Sequence, residues 1–155
     1  MCLIALSIKK ETDWSGKESY FFTLVANRDE YHDRPTSQLS WWEDKGILAG
    51  KDELAGGTWL GFSKSGRFAA LTNYKENISK EFKLSRGYLV TDFLDSNQSA
   101  KSYLESLNGK GYAGFNLIVG DRNGLFYFCN RSDGIYLLPE GIHALGNLKD
   151  RKSVV

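Results

Sequence analysis

The chain has 155 residues, long enough for one domain with its own hydrophobic core, and a single domain over residues 1–155 is expected. Hydrophobic residues at 41%, charged residues at 25% and aromatics at 14% describe an ordinary soluble globular protein with an aromatic excess, and argue against a disordered or fibrous one. Twenty basic residues against nineteen acidic ones give a net charge of +1, too weak a field to hold a polyanion, so nucleic acid is excluded as an expected partner.

The amino terminus opens on the apolar run Leu3 to Ile8 and only then turns basic, the reverse of a secretory leader, so no export signal is read. Two cysteines, Cys2 and Cys129, are too few for a disulfide framework or a zinc cluster. A reducing, cytoplasmic location is expected, with a soluble organelle interior left open. Tyr20 to Ala26 is a second apolar run rich in aromatic and β-branched residues, and Asp13, Ser15 and Gly16 lie between the two, which predicts an opening β-hairpin. Such runs fall far short of the roughly 20 residues that a helical membrane span requires.

Residues Asn27 to Ser40 are polar, contain Pro35 and carry the cluster Asn27-Arg28-Asp29-Glu30, so they are expected to leave the sheet as a loop. Short apolar runs at Ile47 to Ala49, Trp59 to Phe62 and Phe68 to Leu71 alternate with Gly50, Gly56-Gly57 and Gly66, the punctuation of an antiparallel meander. Ser85 is placed to cap a helix over Arg86 to Leu94. A second helix over Ser99 to Leu107 gathers Ala100, Tyr103, Leu104 and Leu107 on one face before Asn108-Gly109.

Phe115 to Val119, the turn Asp121-Arg122-Asn123-Gly124 and Leu125 to Phe128 read as a hairpin, and strands at Ile135 to Leu138 and Ile142 to Leu145 follow. Strands before and after a helical pair make the chain α+β, because no crossover helices separate successive strands. Asp52 to Gly57 has glycines but lacks both the Gly-Lys-Ser/Thr ending of a P-loop and the spacing of a dinucleotide fingerprint.

Cys2 carries the sharpest chemical possibility. Once Met1 is removed, one residue offers a thiol and an α-amine, and their ordinary titration ranges, near 8.5 and near 7.7 to 8.0, suit proton exchange at neutral pH. Acyl transfer or amide hydrolysis would be the chemistry; a small hydrophobe starting a buried strand is the other reading of the same residue. If the strand ending at Asn27 pairs with the strand that follows Cys2, the cluster 27–30 comes beside the thiol. An arginine there can favour a thiolate and a carboxylate can hold the α-ammonium, and a solvated turn with a surface ion pair is the alternative.

Met1-Cys2, Asn27-Arg28-Asp29-Glu30 with Arg34-Pro35, and Ala55-Gly56-Gly57-Thr58-Trp59-Leu60-Gly61 stand in order along nearly the whole chain. Together they resemble the signatures of the NRDE, or transport-and-Golgi-organisation, family. That family is in turn similar to the penicillin V acylase branch of the N-terminal-nucleophile hydrolases, which implies a four-layer αββα sandwich of mostly antiparallel sheets. The resemblance makes Cys2 the nucleophile and Arg28 and Asp29 its flanking arginine and aspartate, although these are adjacent here and more widely spaced in the acylases. Ala70-Leu71-Thr72-Asn73-Tyr74 is similar to the acylase segment whose asparagine serves the oxyanion hole, which proposes Asn73 for that role; a strand-end asparagine shaping a turn is the alternative.

Asn27, Glu30, Gly57 and Trp59 are the expected substrate-binding residues, with Gly57 and Trp59 forming part of a ligand wall or, alternatively, a tight turn into a buried strand. Asn116 is expected as a buried amide satisfied by the backbone. His32, His143 and the pair Trp41-Trp42 are candidates for a cofactor pocket, with ordinary surface or hydrogen-bonding roles as the alternative, and Cys129 is expected as a buried small side chain. Nothing resembles a metal-ligand cluster, and no resident cofactor is expected. Beside a small-molecule amidohydrolase, two other functions stay open: a ligand carrier on the same scaffold, with haem as the ligand discussed for this family, and an interaction module. Relatives in that family are longer; the resemblance implies a second half following His143-Ala144-Leu145-Gly146-Asn147 that holds the rest of the helical layer and a further site arginine. Without it, uncovered strand edges would favour self-association.

Overall fold

The computed structural model describes residues 2–76, 82 and 84–147. In chain order these form β1 (Leu3–Thr12), β2 (Glu18–Asn27), β3 (Thr36–Trp42), β4 (Ile47–Asp52), β5 (Leu60–Ser63), β6 (Phe68–Asn73), α1 (Gly87–Asp95), α2 (Ala100–Ser106), β7 (Phe115–Asp121), β8 (Gly124–Cys129), β9 (Ile135–Leu137) and β10 (Gly141–Leu145).

Alternation decides the first hairpin. Ile4, Leu6 and Ile8 are buried, whereas the residues between them turn to the other face. The turn is closed by the Asp13 carboxylate, which accepts from the backbone N–H of Ser15 at 2.8 Å and of Lys17 at 3.0 Å. β2 then runs back in a register that sets Leu3 opposite Asn27 and Ile4 opposite Ala26. β10 pairs with the other side of β1, Ile4 against Leu145, completing a three-stranded sheet in the order β10-β1-β2.

The remaining strands form a seven-stranded sheet in sequential order, β3 through β9, and every pairing among the described residues is antiparallel. One face of the large sheet, including Ala69, Leu71, Leu117 and Val119, packs under Leu89, Val90 and Phe93 of α1 and Tyr103 and Leu104 of α2. The other face, through Phe68, Ala70, Ile118 and Tyr127, packs on Ile4, Leu6 and Ile8. Phe68 sits 4.8 Å from Phe22 and 5.1 Å from Phe62, ring centre to ring centre, and closes that second core. The layers are therefore helices, large sheet, small sheet. Among the described residues nothing covers the outer face of the small sheet, and Phe21, Val25 and Ile142 lie exposed on it.

The α+β expectation holds, with mostly antiparallel sheets and two helices where the periodicity placed them. Two local expectations are corrected. Residues 27–40 are not all loop: Thr36–Trp42 forms edge strand β3, bulged between Ser37 and Ser40 and almost wholly exposed, so its Thr-Ser-Gln sequence shows no burial pattern to read. Arg86, not Ser85, is the N-cap of α1 and makes no side-chain capping bond. For α2 the expected cap is present, because Ser99 accepts from the N–H of Ser102 at 3.1 Å. No helix among the described residues is long and apolar enough to cross a membrane.

Candidate functional site

The β1–β2 register carries the start of one strand against the end of the other. Leu3 faces Asn27, so the next residues outward, Cys2 and the 28–29 pair, meet beyond the sheet. The N–H of Asp29 points at the Cys2 sulfur at 3.4 Å, and the thiol reaches the Asp29 carbonyl at 3.8 Å. Cys2 is partly buried and carries no disulfide.

A cavity of about 400 Å³ opens at this end of the two sheets. All eight residues expected from the sequence line it. Cys2, Asn27, Arg28, Asp29 and Glu30 come from the hairpin end, Gly57 and Trp59 from the loop before β5, and Asn73 from the end of β6. The carboxamide of Asn73 makes no hydrogen bond among the described residues, while its carbonyl accepts from Asn147 Nδ2 at 2.9 Å. Asn73 is thus available to a ligand and held by its backbone.

The segment after β10 fixes this wall. Thr72 donates its hydroxyl to the Gly146 carbonyl at 2.7 Å, and the N–H of Lys75 donates to Asn147 at 2.7 Å. Asn116, buried as expected, donates to Gly146 at 3.3 Å and accepts from the Tyr127 hydroxyl at 2.8 Å. These bonds tie the end of the small sheet to β6 and β7.

Arg28 does not lie loose beside the thiol. Its guanidinium stacks on the Trp59 ring at 4.3 Å and contacts Glu30 at 3.3 Å and Asp52 at 3.5 Å. Asp52 is the hub of this wall: it also accepts from Arg34 Nε at 2.8 Å and, through its other oxygen, from the N–H groups of Leu54 and Ala55 at 3.1 and 3.0 Å. Burial alone would push the Asp52 carboxyl up, but the Arg34 bond and the two backbone donors outweigh it and hold it below the usual carboxylate range.

Arg34, Asp52, Thr72 and Arg86 line the cavity as well and were not among the expected site residues. Arg34 follows the 27–30 cluster by one short turn and was part of the motif. Asp52 had a signal in its Asp-x-x-x-Gly-Gly turn, whereas nothing local marks Arg86. The other cofactor candidates lie elsewhere: His32 is exposed, His143 is buried with its Nε2 2.9 Å from the Pro139 carbonyl, and neither lines the cavity. Trp42 donates to Ala49 at 3.2 Å, and Cys129 is fully buried. No group of three or more His, Cys, Asp or Glu side chains placed to hold a metal occurs among the described residues.

The arrangement defines an α+β protein with a polar cavity at a strand end, lined by the thiol of Cys2. A sequence profile of the family described as transport and Golgi organisation 2 matches residues 1–153, and the chain belongs to that family. It is 40% identical over 145 residues to the transport and Golgi organization protein 2 homolog of Homo sapiens, covering 85% of this chain and 52% of that protein. The homologs of Mus musculus and Bos taurus are each 38% identical over the same length and coverage. The chain spans about half the length of the curated relatives it matches.

Proposed function

We propose that this chain carries the nucleophile of an N-terminal-cysteine amidohydrolase-like protein acting on an amide or acyl bond of a small molecule. The observation that carries the reading is the convergence of Cys2, its Asp29 amide donor and the unengaged Asn73 carboxamide on one cavity. With Met1 removed, the Cys2 thiol passes its proton to its own α-amine and the sulfur attacks the substrate carbonyl carbon. The C–N bond breaks as the amine leaves with that proton, and water then cleaves the thioester to release the acid and restore the thiol. Asn73 donates to the oxygen that becomes negative during attack. The Asp29 backbone lies against the Cys2 sulfur, its carboxylate holds the α-ammonium in this reading, and Arg28, clamped by Trp59, Glu30 and Asp52, shapes the wall.

In this reading the three layers belong to a four-layer αββα sandwich, and the second helical layer packs on the outer face of the small sheet that exposes Phe21, Val25 and Ile142. Two unpaired cysteines fit a reducing cytoplasmic setting, and the relatives' names support a role connected with transport and Golgi organisation.

Intact mass of the purified protein, followed by turnover of N-acyl amides, tests the proposal. Loss of Met1 and labelling of Cys2 by acyl-amide probes, both activity and labelling abolished in Cys2→Ala, are expected. Turnover undiminished in Cys2→Ala, or quantitative retention of Met1 in active material, would falsify it. Saturable binding without turnover would favour the carrier reading instead. Among the described lining residues Cys2 is the candidate ligand for haem iron, since neither histidine lines the cavity, and an absorbance titration of wild type against Cys2→Ala tests it.

A further inference from the structure

Three arginines line the cavity, and two of them are engaged by carboxylates: Arg28 with Glu30 and Asp52, and Arg34 with Asp52. Arg86 differs. Its hydrogen bond among the described residues runs from Nη1 to the Gly114 carbonyl at 2.9 Å, which uses one of five guanidinium donors. The acids that act on its charge, Glu76 and Glu30, are already committed. Glu76 accepts from the N–H of Gly114 at 2.6 Å and from Arg131 Nε at 2.6 Å, while Glu30 faces Arg28 and accepts from the N–H of Tyr31 at 3.1 Å. Burial disfavours the Arg86 charge, and Glu76 and Glu30 offset this only through space.

The backbone that carries this guanidinium is also held in place. Gly57 packs so closely on the start of α1 that a Cβ there would lie 2.6 Å from the Gly87 carbonyl carbon, and the N–H of Thr58 donates to Gly87 at 3.4 Å. The start of α1, next to Arg86, is therefore fixed against the loop that carries Trp59. Apolar side chains, among them Ile4, Leu60, Leu71 and Leu84, line the same cavity.

We propose that Arg86 recognises a carboxylate on the ligand, so that the cavity takes an acylated amino acid or a similar amide bearing one negative charge and an apolar chain. A guanidinium with donors to spare, in a partly buried wall, gains most from a planar anion that accepts two of them. One cation calls for one charge, which favours a carboxylate over a doubly charged phosphate. The assignment of the bond to be cut rests on the Cys2 reading; the carboxylate contact does not.

The test compares N-octanoylalanine with its neutral carboxamide. Affinities are measured by calorimetry on the Cys2→Ala protein with and without Arg86→Gln, and turnover on wild type, Arg86→Gln and Arg86→Lys. The Arg86 protein is expected to prefer the acid on the order of ten- to hundredfold, the worth of hydrogen bonds to a charged group, with the preference falling to about unity in Arg86→Gln and partly kept in Arg86→Lys. The preference is a ratio within one preparation, so a loss of folded protein does not mimic the effect. An equal preference in Arg86→Gln, no preference in the parent protein, or no binding of either compound at millimolar concentration overturns the proposal. Discriminated binding without turnover sinks the hydrolase reading and leaves Arg86 standing; turnover without discrimination does the reverse.

Discussion

Asp52→Asn isolates the charge at the hub of the cavity wall. The amide oxygen can still accept from Leu54 and Ala55, so the turn is kept, but Arg34 at 2.8 Å and Arg28 at 3.5 Å lose their shared carboxylate oxygen and meet an amide donor instead. The Asp52 side chain is 14% exposed and Arg34 29%, so water replaces the lost contact incompletely. Hydrogen bonds to a charged group contribute about 1.5 to 3 kcal/mol, and the upper part of that range applies where both partners are left facing each other. In a chain of this size a loss of 2 to 3 kcal/mol lowers Tm by roughly 4 to 12 °C. Because the folded carboxyl lies below its unfolded value, its stabilisation is complete above the unfolded pKa and is lost as pH falls through the folded one. Urea midpoints of wild type and Asp52→Asn should therefore differ most near pH 7 and converge below about pH 4. Equal midpoints at pH 7, or a gap that stays constant into acid, would refute the account of Asp52 as a charged hub.

Two further substitutions probe the parts that position the site. Gly57→Ala forces a Cβ against the backbone of Gly87, and neither segment has a flexible side-chain end to yield, so a destabilisation of about 1 to 3 kcal/mol is expected by thermal melting; a Tm within a degree of wild type would show that the α1 start moves freely. Ser99→Ala removes the α2 cap at Ser102 and should cost about 1 kcal/mol, with the urea midpoint as readout and Ser99→Asp as the variant that restores it.

Legibility followed sequence distance. Cys2 and Asp29 meet through a hairpin whose two strands alternate clearly and whose turn residues are local, so their contact could be anticipated from the strand pattern. Gly57, Trp59 and Asn73 could be singled out because they stand in motifs that resemble a family's, the first two in the loop before β5 and the third at the end of β6. β3 was missed because an edge strand exposed on both faces has no alternation to display. Arg86 and Asp52 were missed as site residues for another reason: Arg86 owes its place to the packing of α1 on the Gly57 loop, and Asp52 owes its role to arginines some twenty positions earlier in the chain. Strand periodicity also showed that β10 exists but not that it leaves its sequence neighbour β9 to pair with β1 in the other sheet.

The pairing of β10 with β1 also shapes the order of assembly. Ile4 and Leu145 stand at almost opposite ends of the described chain, so their pairing closes a very long loop, whereas β1 and β2 need only a short turn. The cysteine and its amide donor can thus come together early, as a property of one hairpin. Thr72 and Asn116 gain Gly146 only when the last strand docks. Non-local pairings of this kind form slowly, so the Cys2 end of the cavity is expected to exist before the wall opposite it, and a ligand that needs both ends would report the docking of β10.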